Sequence, residues 1–174
     1  RDQYKSLLSQ GIDPSDWKKN QKKKNFLESN TNLTIKEVVS SINVKSIIIA
    51  AGLGSRLKGY TEALPKCMLM FGDKTLLERQ LEVYESCGIK DISVVRGFKK
   101  EKINYEGLNY YDNTDYHNNN ILNSLFYAEE VINGNVIISY SDILFDTNVV
   151  SRLLESNADI SIVVDIDWRG YYVD

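Results

Sequence analysis

One short stretch of this chain combines tight-turning backbone with positive charge: Ala50-Ala51-Gly52-Leu53-Gly54-Ser55-Arg56, followed by Pro65-Lys66. Glycines let the backbone turn sharply and bring its N–H groups close to a ligand. Arginine adds a forked, permanent charge and lysine a mobile point charge. That combination suits a triphosphate. The nucleotide-binding candidates are Ala50, Ala51, Gly52, Leu53, Gly54 and Ser55, and the catalytic candidates are Arg56 and Lys66. Arg56 can grip phosphate in a two-pronged contact, and the fixed φ of Pro65 stiffens the approach of Lys66. Two common phosphate loops are excluded. Leu57-Lys58 stands where the dinucleotide fingerprint needs its third glycine and a helix start. No Gly-Lys-Ser/Thr triplet of a P-loop occurs anywhere.

The glycine loop, the arginine and the Pro-Lys pair resemble the signature of the nucleotidyltransferase superfamily that makes nucleoside-diphospho sugars and alcohols. The resemblance covers about residues 45–174. Asn113-Thr114-Asp115-Tyr116 and Asn120-Ile121-Leu122-Asn123-Ser124-Leu125 are similar to a segment of the branch containing choline-phosphate and phosphonate cytidylyltransferases. Ser141-Asp142 stands where that family usually has Gly-Asp, and the carboxylate is kept. The resemblance implies a Rossmann-like nucleotidyltransferase fold and a transfer of cytidylyl from CTP to a small phosphorylated acceptor, phosphocholine- or 2-aminoethylphosphonate-like. It also implies substrate contacts from Asn113, Tyr116 and Asn120, and Asp142 as a ligand of Mg²⁺. The family's second metal-binding Asp normally comes later than this sequence extends, so the chain is expected to be truncated at its C-terminus.

The chemistry fits these residue types. An acceptor phosphate or phosphonate oxygen attacks the α-phosphorus and pyrophosphate leaves. Both reactants are anions, so repulsion must be neutralised and an in-line geometry held. Mg²⁺ takes oxygen ligands, commonly one or two carboxylates plus the substrate's phosphates. No covalent nucleophile is required, which leaves His117 without a role. Each residue has a plainer alternative. The glycines can simply shape a turn, Lys66 can be a solvated lysine, and Asp142 can cap the following segment. Asn113, Tyr116 and Asn120 can be loop and capping residues, and Asp165 and Asp167 can end a strand. A sugar-1-phosphate nucleotidyltransferase and a non-catalytic nucleotide-binding regulatory module remain the rival functions.

The elements that would position these groups alternate. Ile47 to Ala50 reads as a buried strand ended by glycine. Thr75 to Cys87 reads as a helix with Leu77, Leu81 and Tyr84 on one face and Gly88 as its stop. Strands follow at Asp91–Arg96, Leu108–Tyr111, Asn135–Tyr140 and Asp159–Asp165. Helices are expected at Asn120–Ile132, lined by Ile121, Leu125, Ala128 and Ile132, and at Thr147–Glu155. This order predicts an α/β fold, a mostly parallel (mixed) sheet flanked by helices on both faces. In such sheets ligands sit beyond the carboxyl ends of the strands, so the loop after Ala50 and the Asp142 carboxylate should converge.

Residues 1–43 read as a Lys-rich linker or the tail of a preceding domain, and 44–174 as the N-terminal major part of a nucleotidyltransferase domain. Lys18, Lys19, Lys22, Lys23 and Lys24 cluster in the first part, most simply a solvated face, with nucleic-acid contact the minor alternative. Residues 34–42 carry helical spacing, with Thr34 and Glu37 at capping-box distance. Arg1 at one end and Asp174 after an apparent strand make both ends look cut, and fusion to another biosynthetic domain at the N-terminus is open. A net charge of −3 argues against a general nucleic-acid binder. Cys67 and Cys87 lack metal spacing and read as reduced, buried thiols. No apolar run approaches the ~20 residues of a membrane span, and the expected location is cytoplasmic.

Overall fold

In the computed structural model of the protein the described residues are 34–54, 59 and 61–167. They fall into two compact units, one of residues 35–147 and another that takes in residues 148–167. The Lys18–Lys24 cluster, Ser55 and Arg56 lie outside the described residues.

The first unit is organised by β1, Val44–Ala50. Its β-branched run is buried on both sides, with Ile47 and Ile48 fully inaccessible, as a central parallel strand requires. β1 has β4, Asp91–Arg96, on one side and β6, Asn135–Tyr140, on the other, and β5, Asn109–Asp112, lies beyond β4. All three pairings are parallel. A two-stranded hairpin, β2 (Met70–Phe71) with β3 (Lys74–Thr75), stands apart as the antiparallel component. The expected α/β architecture is observed.

The helices are numbered α1, Ile35–Ile42; α2, Leu76–Ser86; α3, Ile121–Phe126; and α4, Thr147–Glu155. Helix α1 belongs to the same compact unit as the sheet. Val39 is buried, and the Asn135 side chain donates to the Ile42 carbonyl at 2.8 Å. Asn43 at φ +49° ends the helix, a conformation that asparagine tolerates. The division expected between residues 43 and 44 falls inside this unit.

Thr75 and Glu78 form a capping box that starts α2, and Gly88 at φ +84° stops it. The buried face of α2 is Leu77, Gln80 and Tyr84, so Gln80 takes the depth expected of Leu81. Ala128 and Val131 pack with Ile47, Ala51 and Val95 on one face of the sheet. The other face is marked by Ile48 and its register partner Ser139, whose hydroxyl donates to the Gln80 side chain of α2.

Three expectations are corrected. The helix expected over Asn120–Ile132 stops at Phe126 and gives way to a 3₁₀ turn at Glu129–Val131. The turn inserts both Ala128 and Val131 into the core, whereas Ile121 and Ile132 stay exposed. The strand expected at Asp159–Asp165 is absent. Ile160, Ile162 and Val164 are exposed, and no ladder partner exists for them among the described residues. Alternation alone does not make a strand, because the ladder needs a neighbour. Cover on both faces holds for β1 and β4 but not for β6, where Ile138 and Tyr140 are exposed.

Candidate nucleotide site

Strand order reverses at β1. The chain steps outward from β1 to β4 and β5, then returns to the opposite side of β1 as β6. Such a reversal opens a crevice at the carboxyl ends of the strands. The loop after Ala50 and the turn after Tyr140 leave neighbouring strands at that edge, where Ile49 is paired with Tyr140. A cleft of roughly 220 Å³ lies there, bordered by Ala50, Ala51, Gly52, Gly54, Lys66 and Asp142. The cleft also meets Tyr116, Asn119, Asn120, Ser124 and Tyr140. Enclosing a ligand of drug size takes about 300–1,000 Å³, so a nucleotide seated here extends past the cleft.

The glycine loop is held from both sides. Gly54 adopts φ +63°, which favours glycine, and the Thr61 hydroxyl donates to its carbonyl at 2.9 Å. Gly97 lies where a Cβ would fall 2.6 Å from the Ala51 oxygen and 2.8 Å from the Tyr116 Cβ. Only a residue without a side chain permits that approach. Gly97 therefore seats Tyr116 against the start of the loop. Thr61 carried no signal in the sequence.

Lys66 opens a short 3₁₀ turn, Lys66–Met68, with Pro65 as its cap. Pro65 and Cys67 on either side of it are buried, which turns Lys66 outward to the cleft. There its ammonium donates to the Asp142 carboxylate. Burial pushes the Cys67 thiol up to about 12. At neutral pH it is a filler and not a nucleophile.

The turn carrying Asp142 is pinned at several points. The Ser141 N–H donates to the Ile49 carbonyl at 3.2 Å. Gln80 donates to the carbonyls of Tyr140 at 2.8 Å and Ile143 at 2.7 Å. Gln80 went unnoticed in the sequence, although an amide between Leu77 and Tyr84 on an apolar helix face was its signal.

The three residues expected to contact substrate separate. Tyr116 and Asn120 border the cleft. Asn120 also caps α3, accepting from the Asn123 N–H at 3.0 Å. Asn113 is buried and does not reach the cleft. It exchanges amide hydrogen bonds with Asn119 at 3.0 and 3.1 Å, donates to the Ser124 hydroxyl at 2.9 Å and accepts from the Asp115 N–H. Its side chain thus ties the 113–120 loop to α3, while Asn119, overlooked in the sequence, borders the cleft in its place. His117 is exposed and rests against the Tyr116 ring.

Among the described residues no group of three or more His, Cys, Asp or Glu side chains could hold a metal unaided. A lone carboxylate still fits Mg²⁺ where the substrate's phosphates supply other oxygens, and Asp142 meets that requirement. No described helix is long and apolar enough to cross a membrane.

The chain is similar to several known proteins. The family model for the MobA-like NTP transferase domain matches residues 46–173. CTP:phosphoglutamine cytidylyltransferase of Campylobacter jejuni is 34% identical over 138 residues, 72% of this chain and 54% of that protein. Choline-phosphate cytidylyltransferase of Streptococcus pneumoniae is 35% identical over 106 residues, 59% of this chain and 46% of that protein. A solved structure of the CTP:phosphocholine cytidylyltransferase from Streptococcus pneumoniae superposes with a TM-score of 0.56 at 33% identity, covering 60% of this chain and 50% of that one. The chain thus spans about half the length of these relatives. With the cleft at the switch point of a parallel sheet and a family match over most of its length, the chain belongs to the MobA-like NTP transferase domain family of nucleotidyltransferases.

Proposed function

We propose that this protein is a divalent-metal-dependent, specifically Mg²⁺-dependent, cytidylyltransferase. It moves the cytidylyl group of CTP onto a small phosphorylated or phosphonate acceptor and releases pyrophosphate. The observation that carries this reading is the meeting of Lys66 and Asp142 at the rim of the glycine-loop cleft. A lysine opposite a carboxylate is what two anionic reactants and a bridging cation require. The names of the two cytidylyltransferase relatives support the choice of CTP and of an amine- or amide-bearing acceptor.

In the reaction an acceptor oxygen bonds to the α-phosphorus as the bond to the bridging oxygen of the β-phosphate breaks, and pyrophosphate carries away the electron pair. Backbone N–H groups of residues 51–54 bind the triphosphate. Lys66 exchanges its carboxylate partner for phosphate oxygens and offsets their charge as the acceptor approaches. Arg56 is assigned the outer phosphates from its place in the motif. Asp142 would hold Mg²⁺, which when bound supplies Lewis-acid charge neutralisation on the phosphates. Tyr116, Asn119 and Asn120 also border the cleft and are assigned to base or acceptor recognition.

Pyrophosphate release by the full-length protein, measured with four triphosphates against a panel of phosphorylated acceptors, tests the proposal. Fastest release with CTP and phosphocholine, aminoethylphosphonate or a phosphorylated amide is the expected result. Preference for another triphosphate with a sugar 1-phosphate would replace it with sugar-phosphate transfer. Nucleotide binding with no release under any pairing would make the protein a regulatory module.

A further inference from the structure

Gln80 is nearly inaccessible, 1% exposed, on the face of α2 that otherwise buries Leu77 and Tyr84. A buried amide without partners costs stability, yet this one is engaged at both its nitrogen and its oxygen. Its two N–H groups go to the Tyr140 and Ile143 carbonyls, and its oxygen accepts from the Ser139 hydroxyl at 3.1 Å. The two carbonyls bracket the Ser141-Asp142 pair. One helical turn after Gln80, Tyr84 meets Phe145 edge to face, with ring centroids 5.4 Å apart. The same helix face therefore grips the chain immediately before and after Asp142.

We propose that Gln80 is a positioning residue for Asp142, clamping the turn after β6 so that the carboxylate stays in place at the cleft. The inference rests on the reading of Asp142 as the metal-holding carboxylate. A side chain on a turn is only as well placed as its backbone. Here two hydrogen bonds to the carbonyls of residues 140 and 143 and one from Ser141 N–H to Ile49 restrict that backbone. Mutating the groups that hold a metal ligand in place typically costs about 10- to 100-fold in metal affinity. Leucine at position 80 would fill the volume and supply no donor. Glutamate would keep the shape and turn an acceptor oxygen toward the two carbonyls.

The test measures Mn²⁺ uptake by the full chain with CTP, read by electron paramagnetic resonance, alongside metal-free CTP binding and thermal melts. Parent, Asp142→Asn, Gln80→Leu and Gln80→Glu are compared well below their melting transitions. The expected result is Mn²⁺ uptake weakened about 10-fold or more by Gln80→Leu, with metal-free CTP binding unchanged. Should the leucine variant not fold, the nearly isosteric Gln80→Glu carries the same comparison. A folded Gln80 variant with a lower melt but parental Mn²⁺ uptake, where Asp142→Asn does weaken uptake, overturns the clamp and leaves Asp142 in place. Parental uptake by Asp142→Asn instead overturns the assignment of Asp142, and the inference falls with it.

Discussion

Lys66 and Asp142, 76 positions apart in sequence, form an ion pair across the mouth of the cleft. Both side chains are about one-third exposed, at 32% and 34%. Exposed pairs of this kind contribute only about 0–1 kcal/mol, because water and salt screen them. The pair therefore does little for folding, and its two charges stay accessible to an incoming phosphate and cation.

Lys66→Ala should accordingly leave the melt within about 1 kcal/mol of the parent. Turnover by the full-length protein should fall about 10²- to 10³-fold, the usual effect of deleting one group that stabilises developing charge. Melting curves and pyrophosphate release read the two effects separately. Parental turnover in a normally folded variant would remove Lys66 from the mechanism.

Asp142→Asn keeps the size of the side chain and loses the charge that attracts a hard cation. Its response to Mg²⁺ in a titration of pyrophosphate release should weaken more than its binding of metal-free nucleotide. If the two magnesium titrations superimpose, Asp142 is a structural element of the turn.

The glycine loop and Pro65-Lys66 were legible as local signals, Asp142 through the family resemblance, and strand polarity implied that the loop and Asp142 converge. The parallel sheet was legible for the same reason, through the β-branched runs at β1 and β4. Gln80 was not, since its role depends on carbonyls 60 and 63 positions away. The end of α3 at Phe126 was hidden by a pattern that stayed locally helical through Ile132, while the core claimed Ala128 and Val131. Residues 159–165 alternate like a strand, but pairing is a tertiary property and no partner lies beside them among the described residues. The resemblance assigned Asn113 to substrate, and nothing in its local sequence showed that it faces inward to Asn119 and Ser124.

Gly97→Ala tests the packing of the loop. The added methyl would approach the Ala51 oxygen to 2.6 Å and the Tyr116 Cβ to 2.8 Å. The first contact is backbone and cannot swing away. Overpacking of this kind costs about 1–3 kcal/mol, and relief by movement of residue 51 or Tyr116 would disturb the nucleotide loop. A lower melt together with weaker CTP binding is expected in calorimetry. An unchanged melt would show that the loop yields at no cost.

Asp112 gives the fold an acid-sensitive joint. Burial alone would raise its carboxyl, but hydrogen bonds from Lys100 and Arg96 outweigh that and hold it below its ordinary value of 3.8. Arg96 also stacks on the Tyr110 ring, 3.9 Å from the centroid, and donates to the Ile103 carbonyl at 2.8 Å. The ion pair thus ties the end of β4 to β5 just before Gly97 and Asn113. A carboxyl with a depressed folded value contributes stability that is complete above its unfolded value and is lost as pH falls through the folded one. The parent should therefore lose melting temperature as pH falls below the ordinary value of 3.8 and this carboxylate protonates. Asp112→Asn should start lower at neutral pH, because Arg96 and Lys100 lose their anion, and should then decline less steeply in acid. Melting curves across that range would show the two profiles converging at low pH. Parallel profiles would mean that the Asp112 pair makes no contribution to acid stability.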